Sequence, residues 1–250
     1  MKTVAYSSLC CKYIDDILLL VSSNNFGSVE WDLNFIPPIL SQKRFDYIRN
    51  YIVDNKIELR FHLPYSYIEI AHNEKEFQTY SISVIKEYLK FIAKLGSHYA
   101  IIHVGCYEGS NSSIALKNLE LLANYSNDLG IKLCMENLIN GLTANTNFLK
   151  QALGIKNLFF CFDTGHCYVV SKHNLQYLYT IKDNLYKCVH SHVYKTEDNL
   201  HNHIPFNSNS EIKSSKIIKM LLESNCNWFT MELDSKHKQF NQKCLFEKFL

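Results

Sequence analysis

Six short apolar runs in this sequence close on side chains of the kinds that bind divalent cations and move protons. His62 ends one in FHLPY, His103 another in IIHVG, and Glu136 a third in CMENL. Asp163 follows in CFDTGH with His166 just beyond, then His190 and His192 in VHSHV, and Glu232 in TMELD. From His62 to Glu232, successive run ends stand 27 to 41 residues apart. Imidazoles and carboxylates are good ligands for a divalent cation, and the cation offsets the cost of burying carboxylates side by side. Taken singly, each group has a plainer role. A strand-end histidine is usually hydrogen-bonded core, Asp-Thr-Gly also makes a turn or helix cap, and a strand-end glutamate can pair with a lysine. Seven such groups at the same end of six successive runs point to a shared site.

Intervals of that length are one strand–helix unit, and such units continue along the whole chain. Strands are expected at residues 4–7, 28–32, 57–63, 99–104, 131–136, 158–163, 187–193 and 228–233. Between them run helical patterns. The first carries Ile14, Ile17, Leu18 and Val21 on one face, and the second opens at Pro37 and Pro38. The third carries Val84, Tyr88, Phe91, Ile92 and Leu95 and stops at Gly96. The rest are expected over 112–128, 145–153, 175–182, around Ile217, Met220 and Leu221, and over 239–250. Eight strands and eight helices in 250 residues predict one (β/α)8 barrel spanning 1–250, rather than an open doubly wound sheet. Buried barrel strands should be apolar throughout, so ionisable ends on one face mark an active site.

His190 and His192 are two apart on a strand and point the same way, and the loop beyond adds His201 and His203 in HNHIPFN. Glu30, in VEWDL, reads as structural or peripheral. His72, His98, His173 and His237 read as solvent-exposed. Tyr65, Tyr67, Tyr107 and Tyr168 could wall the pocket or simply pack loops.

Net charge is +2, and arginine is confined to Arg44, Arg49 and Arg60. Nucleic-acid recognition favours the arginine fork, so this scarcity argues against duplex DNA, although lysines could still contact phosphates. The nine cysteines include no pair with zinc-finger spacing and read as reduced cytoplasmic usage. The first apolar run is short and preceded by Asp15 and Asp16, which predicts neither a signal peptide nor a membrane span.

The motifs HLPY, IIHVG, MENL, FDTGH, HSHV, HNHIP and MELD resemble those of the xylose-isomerase-like barrel superfamily. That superfamily holds sugar isomerases and epimerases together with abasic-site nucleases of the endonuclease IV type. In the isomerase branch the resemblance implies one divalent ion (Mn, Mg, Co or Zn) on Glu136, Asp163, His192 and Glu232, with no organic cofactor. Glu136 and Glu232 are then the catalytic base and acid, and His166 helps hold the substrate. His192 is preferred to His190 as the nearer to the strand end. In the nuclease branch three zinc ions would take His62, His103, Glu136, Asp163, His166, His192, His203 and Glu232, plus an aspartate where this chain has His201. The glycine-rich stretch expected after that segment is altered to FNSNSE.

The expectation is therefore a cytoplasmic metal-dependent isomerase or epimerase of a sugar or sugar phosphate, free to form homo-oligomers. A zinc-dependent phosphodiesterase is the alternative. The third reading is a barrel that lost catalysis or acts on a non-sugar, which the near-complete ligand set opposes.

Overall fold

The apolar runs pair as parallel strands because each is buried on both sides, with helices outside and the other strands' side chains within. In the computed structural model, which describes residues 2–8, 11, 15–18, 27–34, 40–196 and 202–250, the eight strands form a closed barrel in chain order. They are β1 (Thr3–Ser7), β2 (Ser28–Asp32), β3 (Glu58–His62), β4 (Tyr99–Ile102), β5 (Lys132–Glu136), β6 (Leu158–Asp163), β7 (Cys188–His192) and β8 (Trp228–Met231). Strand β1 closes the ring against β8, from Thr3 opposite Trp228 to Tyr6 opposite Met231.

Alternation along β2 shows how the layers are built. Val29 and Trp31 face outward, where Trp31 packs against Phe61 and Phe91. Glu30 and Asp32 therefore face into the barrel. The same parity sends Arg60 and His62, Cys134 and Glu136, Cys161 and Asp163, His190 and His192, and Thr230 and Glu232 inward. An irregularity between Phe160 and Cys161 resets the β6–β7 register and sets Asp163 beside His192. Register shifts of this kind re-aim side chains near active sites.

The outer helices differ from expectation at three points. Residues 15–18 are helical with Ile17 and Leu18 buried, while Ile14, Val21, Pro37 and Pro38 lie outside the described residues. The next helix, α1 (Gln42–Asp54), starts not at the prolines but after Ser41, whose hydroxyl accepts the Arg44 N–H. One helix was expected after β6, and two are present, Thr164–His173 and Leu175–Asn184. The first begins at once because the Asp163 side chain caps it by accepting the His166 N–H. Two more follow β7, at Asn209–Ser214 and Lys216–Glu223. No helix among the described residues is long and apolar enough to cross a membrane.

Buried Glu69 ties the loops after β3 and β4 together. Its carboxylate accepts the backbone N–H groups of Ala71, Gly105 and Cys106 at 2.8–3.1 Å. The loop after β5 packs against the same turn. Gly141 has φ of 72°, and a Cβ there would lie 2.0 Å from the Gly105 carbonyl oxygen. Gly141→Ala is therefore expected to destabilise the fold by about 1–3 kcal/mol, as overpacking with a left-handed backbone should. A urea midpoint equal to that of the parent would show that the two loops separate at no cost.

Candidate active site

The C-terminal strand ends converge on a small cavity, as the barrel geometry requires. Its volume is about 180 Å³, and it is lined by Ser7, Glu30, Asp32, His62, Tyr65, His103, Glu136, His166, His203 and Glu232. Glu136 is central. Its Oε2 lies 3.2 Å from His62 Nε2 and 3.1 Å from His103 Nε2. Its Oε1 lies 3.3 Å from both His166 Nδ1 and His192 Nδ1. His192 Nδ1 is also 3.5 Å from Asp163 Oδ2 and 3.3 Å from Glu232 Oε2.

Three donor sets among the described residues could hold a cation. One, Cys161 with His190 and His192, lies deeper in the barrel. The two at the strand ends share Glu136, first with Asp163 and His192, and second with His62 and His103. The first of these two passes a physical test. Asp163 Oδ2 and His192 Nδ1 are fully buried and make no hydrogen bond, a costly state for polar atoms. Four tetrahedral ligands at zinc–ligand distances of about 2.0–2.1 Å sit roughly 3.4 Å apart, which is the spacing of the Glu136, Asp163 and Glu232 oxygens from His192 Nδ1, 3.3–3.5 Å. In the second set, His62 Nε2 and His103 Nε2 are 3.1 Å apart, both against one carboxylate oxygen, so a proton or a cation must lie between them.

Backbone carbonyls orient three of the histidines. Carbonyls only accept, so Nδ1 donates from His62 to Leu63, from His166 to Asn137, and from His203 to Glu232. Asn137 also pairs with the backbone of Asp163 through both ends of its amide. Tyr65 stacks on His103 at 4.8 Å.

Burial opposes every charge in this cluster, and the neighbours decide which survive. For Glu136, burial would raise the pKa, but His192 and His103 outweigh it and hold the carboxyl well below its usual range. Burial pushes Glu232 up to about 7. The opposing imidazoles of His192 and His203 are offset by the nearby carboxylates of Asp163 and Glu136. Burial also raises Asp32. It would lower His62 and His166, yet Glu136 beside the first and Asp163 and Glu136 beside the second push both to about 9. His103 is lowered by burial despite Glu136. Protons on imidazoles thus balance the clustered carboxylates, a task a divalent cation would also perform.

The structure brings together His62, His103, Glu136, Asp163, His166, His192, His203 and Glu232. His201 lies outside the described residues. His190 does not line the cavity. It sits below His192, with Nε2 on Glu30 and Nδ1 facing Arg60. Glu30, expected to be structural or peripheral, is 2 % exposed in the barrel interior and holds both β7 histidines. Asp32 on the cavity wall was missed, although its spacing of two from Glu30 puts both on the same inward face. Of the four tyrosines, Tyr65 lines the site. Tyr107 braces the loop by donating to the Tyr65 carbonyl and accepting the Tyr67 N–H, Tyr67 is exposed, and Tyr168 lines a separate cavity. His98, His173 and His237 are exposed as expected, whereas His72 is half-buried against Phe77.

The profile of the xylose isomerase-like TIM barrel family matches residues 18–247. An uncharacterized protein of Methanocaldococcus jannaschii, MJ0008, is 28% identical over 207 residues, 82% of this chain and 80% of that one. Among solved structures, a D-tagatose 3-epimerase-like protein superposes with a TM-score of 0.80 at 17% identity, over 100% of this chain and 97% of the other. The 3-keto-D-glucoside 4-epimerase of E. coli superposes with a TM-score of 0.74 at 11% identity, over 100% of both chains. At such identities the likeness to the two structures is one of fold.

Proposed function

The chain belongs to the xylose isomerase-like TIM barrel family, and on that premise we propose that it is a divalent-metal-dependent sugar isomerase or epimerase. The observation that carries this reading is the pair Glu136 and Glu232, at the ends of β5 and β8, both directed at His192 Nδ1 in a cavity sized for a small molecule. The fold neighbours named for epimerising keto sugars agree with it.

Glu136, Asp163, His192 and Glu232 would hold the cation, whose chemistry is Lewis acidity toward a carbonyl and an adjacent hydroxyl. For epimerisation one glutamate takes the proton from the carbon beside the carbonyl and the other returns one to that carbon from the opposite face. For isomerisation the proton is returned to the former carbonyl carbon instead, while the hydroxyl proton passes between the two oxygens. His166 and His203 orient hydroxyls, and Tyr65 offers an apolar face. Among the described residues no lysine or arginine lines the cavity, which favours an unphosphorylated sugar over a phosphate ester.

The test is exchange. With one equivalent of Mn, Co, Mg or Zn, a ketose in D2O is expected to gain deuterium at the carbon next to its carbonyl, read by NMR. If no ketose, aldose or inositol-like compound exchanges, the reading fails.

A second reading has one specific observation in its favour, the convergence of His62, His103 and Glu136. A further ion there would suit a multi-zinc phosphodiesterase. That reading expects two to three zinc ions per chain and nicking of an abasic duplex.

A further inference from the structure

We infer that Glu30 is a positioning residue that fixes the tautomer of His192, keeping the ring proton on Nε2 so that Nδ1 is the nitrogen offered to the cation. The inference rests on the metal reading above. It begins at the floor of the barrel. Arg60 is 2 % exposed, with its guanidinium stacked 3.6 Å from the Tyr99 ring and 4.3 Å from Trp228. It donates to the Val189 carbonyl at 2.7 Å and to Asn227 at 3.2 Å, and its Nη1 faces His190 Nδ1 at 3.4 Å. Arginine has no acceptor, so His190 Nδ1 must accept. The proton of neutral His190 is therefore on Nε2, which bonds Glu30.

Glu30 is filled from below and from the side. Thr230 donates to its Oε2 at 2.9 Å, and the Trp228 indole N–H donates to Thr230 in turn. The remaining approach is from His192 Nε2, 3.1 Å from both carboxylate oxygens. An ionised carboxylate only accepts, so His192 must bring the proton. His62, His166 and His203 rest Nδ1 on backbone carbonyls, whereas His192 turns Nδ1 toward the carboxylates and rests Nε2 on Glu30. A carboxylate behind a ligating imidazole fixes its orientation and raises its basicity.

A packing role alone is a poor account of this column. Buried ionic groups replaced by well-packed apolar residues often leave stability unchanged or improved. What an apolar residue could not supply is the tautomer.

The substitution Glu30→Gln separates the two roles. A glutamine offers one imidazole an acceptor and the other a donor. Arg60 pins His190, so the conflict falls on His192 and moves its proton to Nδ1. The expected results are loss of the His192 Nε2 proton, read as the Nε2 15N shift moving to the unprotonated range in metal-free, histidine-labelled protein, and zinc affinity lowered about 10- to 100-fold by chelator competition. Glu30→Asp keeps the acceptor and should retain the wild-type tautomer. If Glu30→Gln keeps the wild-type shifts and affinity, the inference is overturned. Should that variant not fold, the wild-type 15N spectrum decides, because a metal-free His192 with no proton on Nε2 would overturn it equally. If wild-type protein binds no divalent ion, the metal reading fails, while the same shifts still report whether Glu30 sets the tautomer.

Discussion

Glu136→Gln is expected to lower the exchange rate by about 10⁴-fold, the upper end of what a positioned acid–base group contributes. The upper end is expected because this carboxylate has two duties. It is the proposed base, and it is the one residue common to both strand-end donor sets. Glutamine matches its volume, so the barrel should stay folded, but the amide cannot take a proton from carbon and is a poor ligand. It also turns a donor toward some of the imidazoles that now face a carboxylate, at 3.1–3.3 Å from four different histidines. Metal content by mass spectrometry should fall below one equivalent at ion concentrations that saturate the parent. The thermal midpoint should move far less than the rate. A variant that still exchanges within tenfold of the parent would remove Glu136 from proton transfer and leave Glu232 as the sole candidate.

How much of this site could be read from the sequence depended on where each residue stood in its strand. Glu136, Asp163, His192 and Glu232 end apolar runs, and a charged group that ends a buried strand has few places to go except a shared polar site. His62 and His103 showed the same signal. Glu30 did not. In VEWDL it alternates with apolar residues, which is also the pattern of a half-exposed strand, so the spacing alone could not say which face was buried. Closure of the ring puts that face inward and brings β2 within reach of β7, a relation between residues 160 and 162 positions apart. A usable signal did exist. In a barrel, a glutamate at an inward position needs a partner, and the inward histidines of β7 were the available ones. The helix at Thr164–His173 was hidden for a different reason. Its sequence TGHCYVVSKH combines glycine with three β-branched residues and has little intrinsic preference for helix. It is held instead by the Asp163 cap and by packing of Gly165 on Tyr194, whose ring leaves no room for a Cβ. Tertiary contact, not local pattern, makes that turn.

His62→Asn combined with His103→Asn separates the two functional readings by more than any single change, because it dismantles one strand-end donor set and leaves the other whole. Glu136, Asp163, His192 and Glu232 keep their positions, since His192 is held by Glu30 and Asp163 by Asn137. For an isomerase or epimerase, the expected result is one tightly held ion per chain before and after substitution. kcat/KM should fall about 100-fold, as the loss of the two hydrogen bonds that hold the proposed base Glu136 would give. For a phosphodiesterase, the count should begin at two or more and drop by one, and nicking should vanish with it. Asparagine is smaller than histidine and opens space beside Tyr65, so a modest drop in thermal midpoint accompanies either outcome and does not bear on the choice. The ion count does. Three carboxylates around His192 Nδ1 can retain a cation with no help from β3 or β4, so only a second cation has anything to lose when those two imidazoles go.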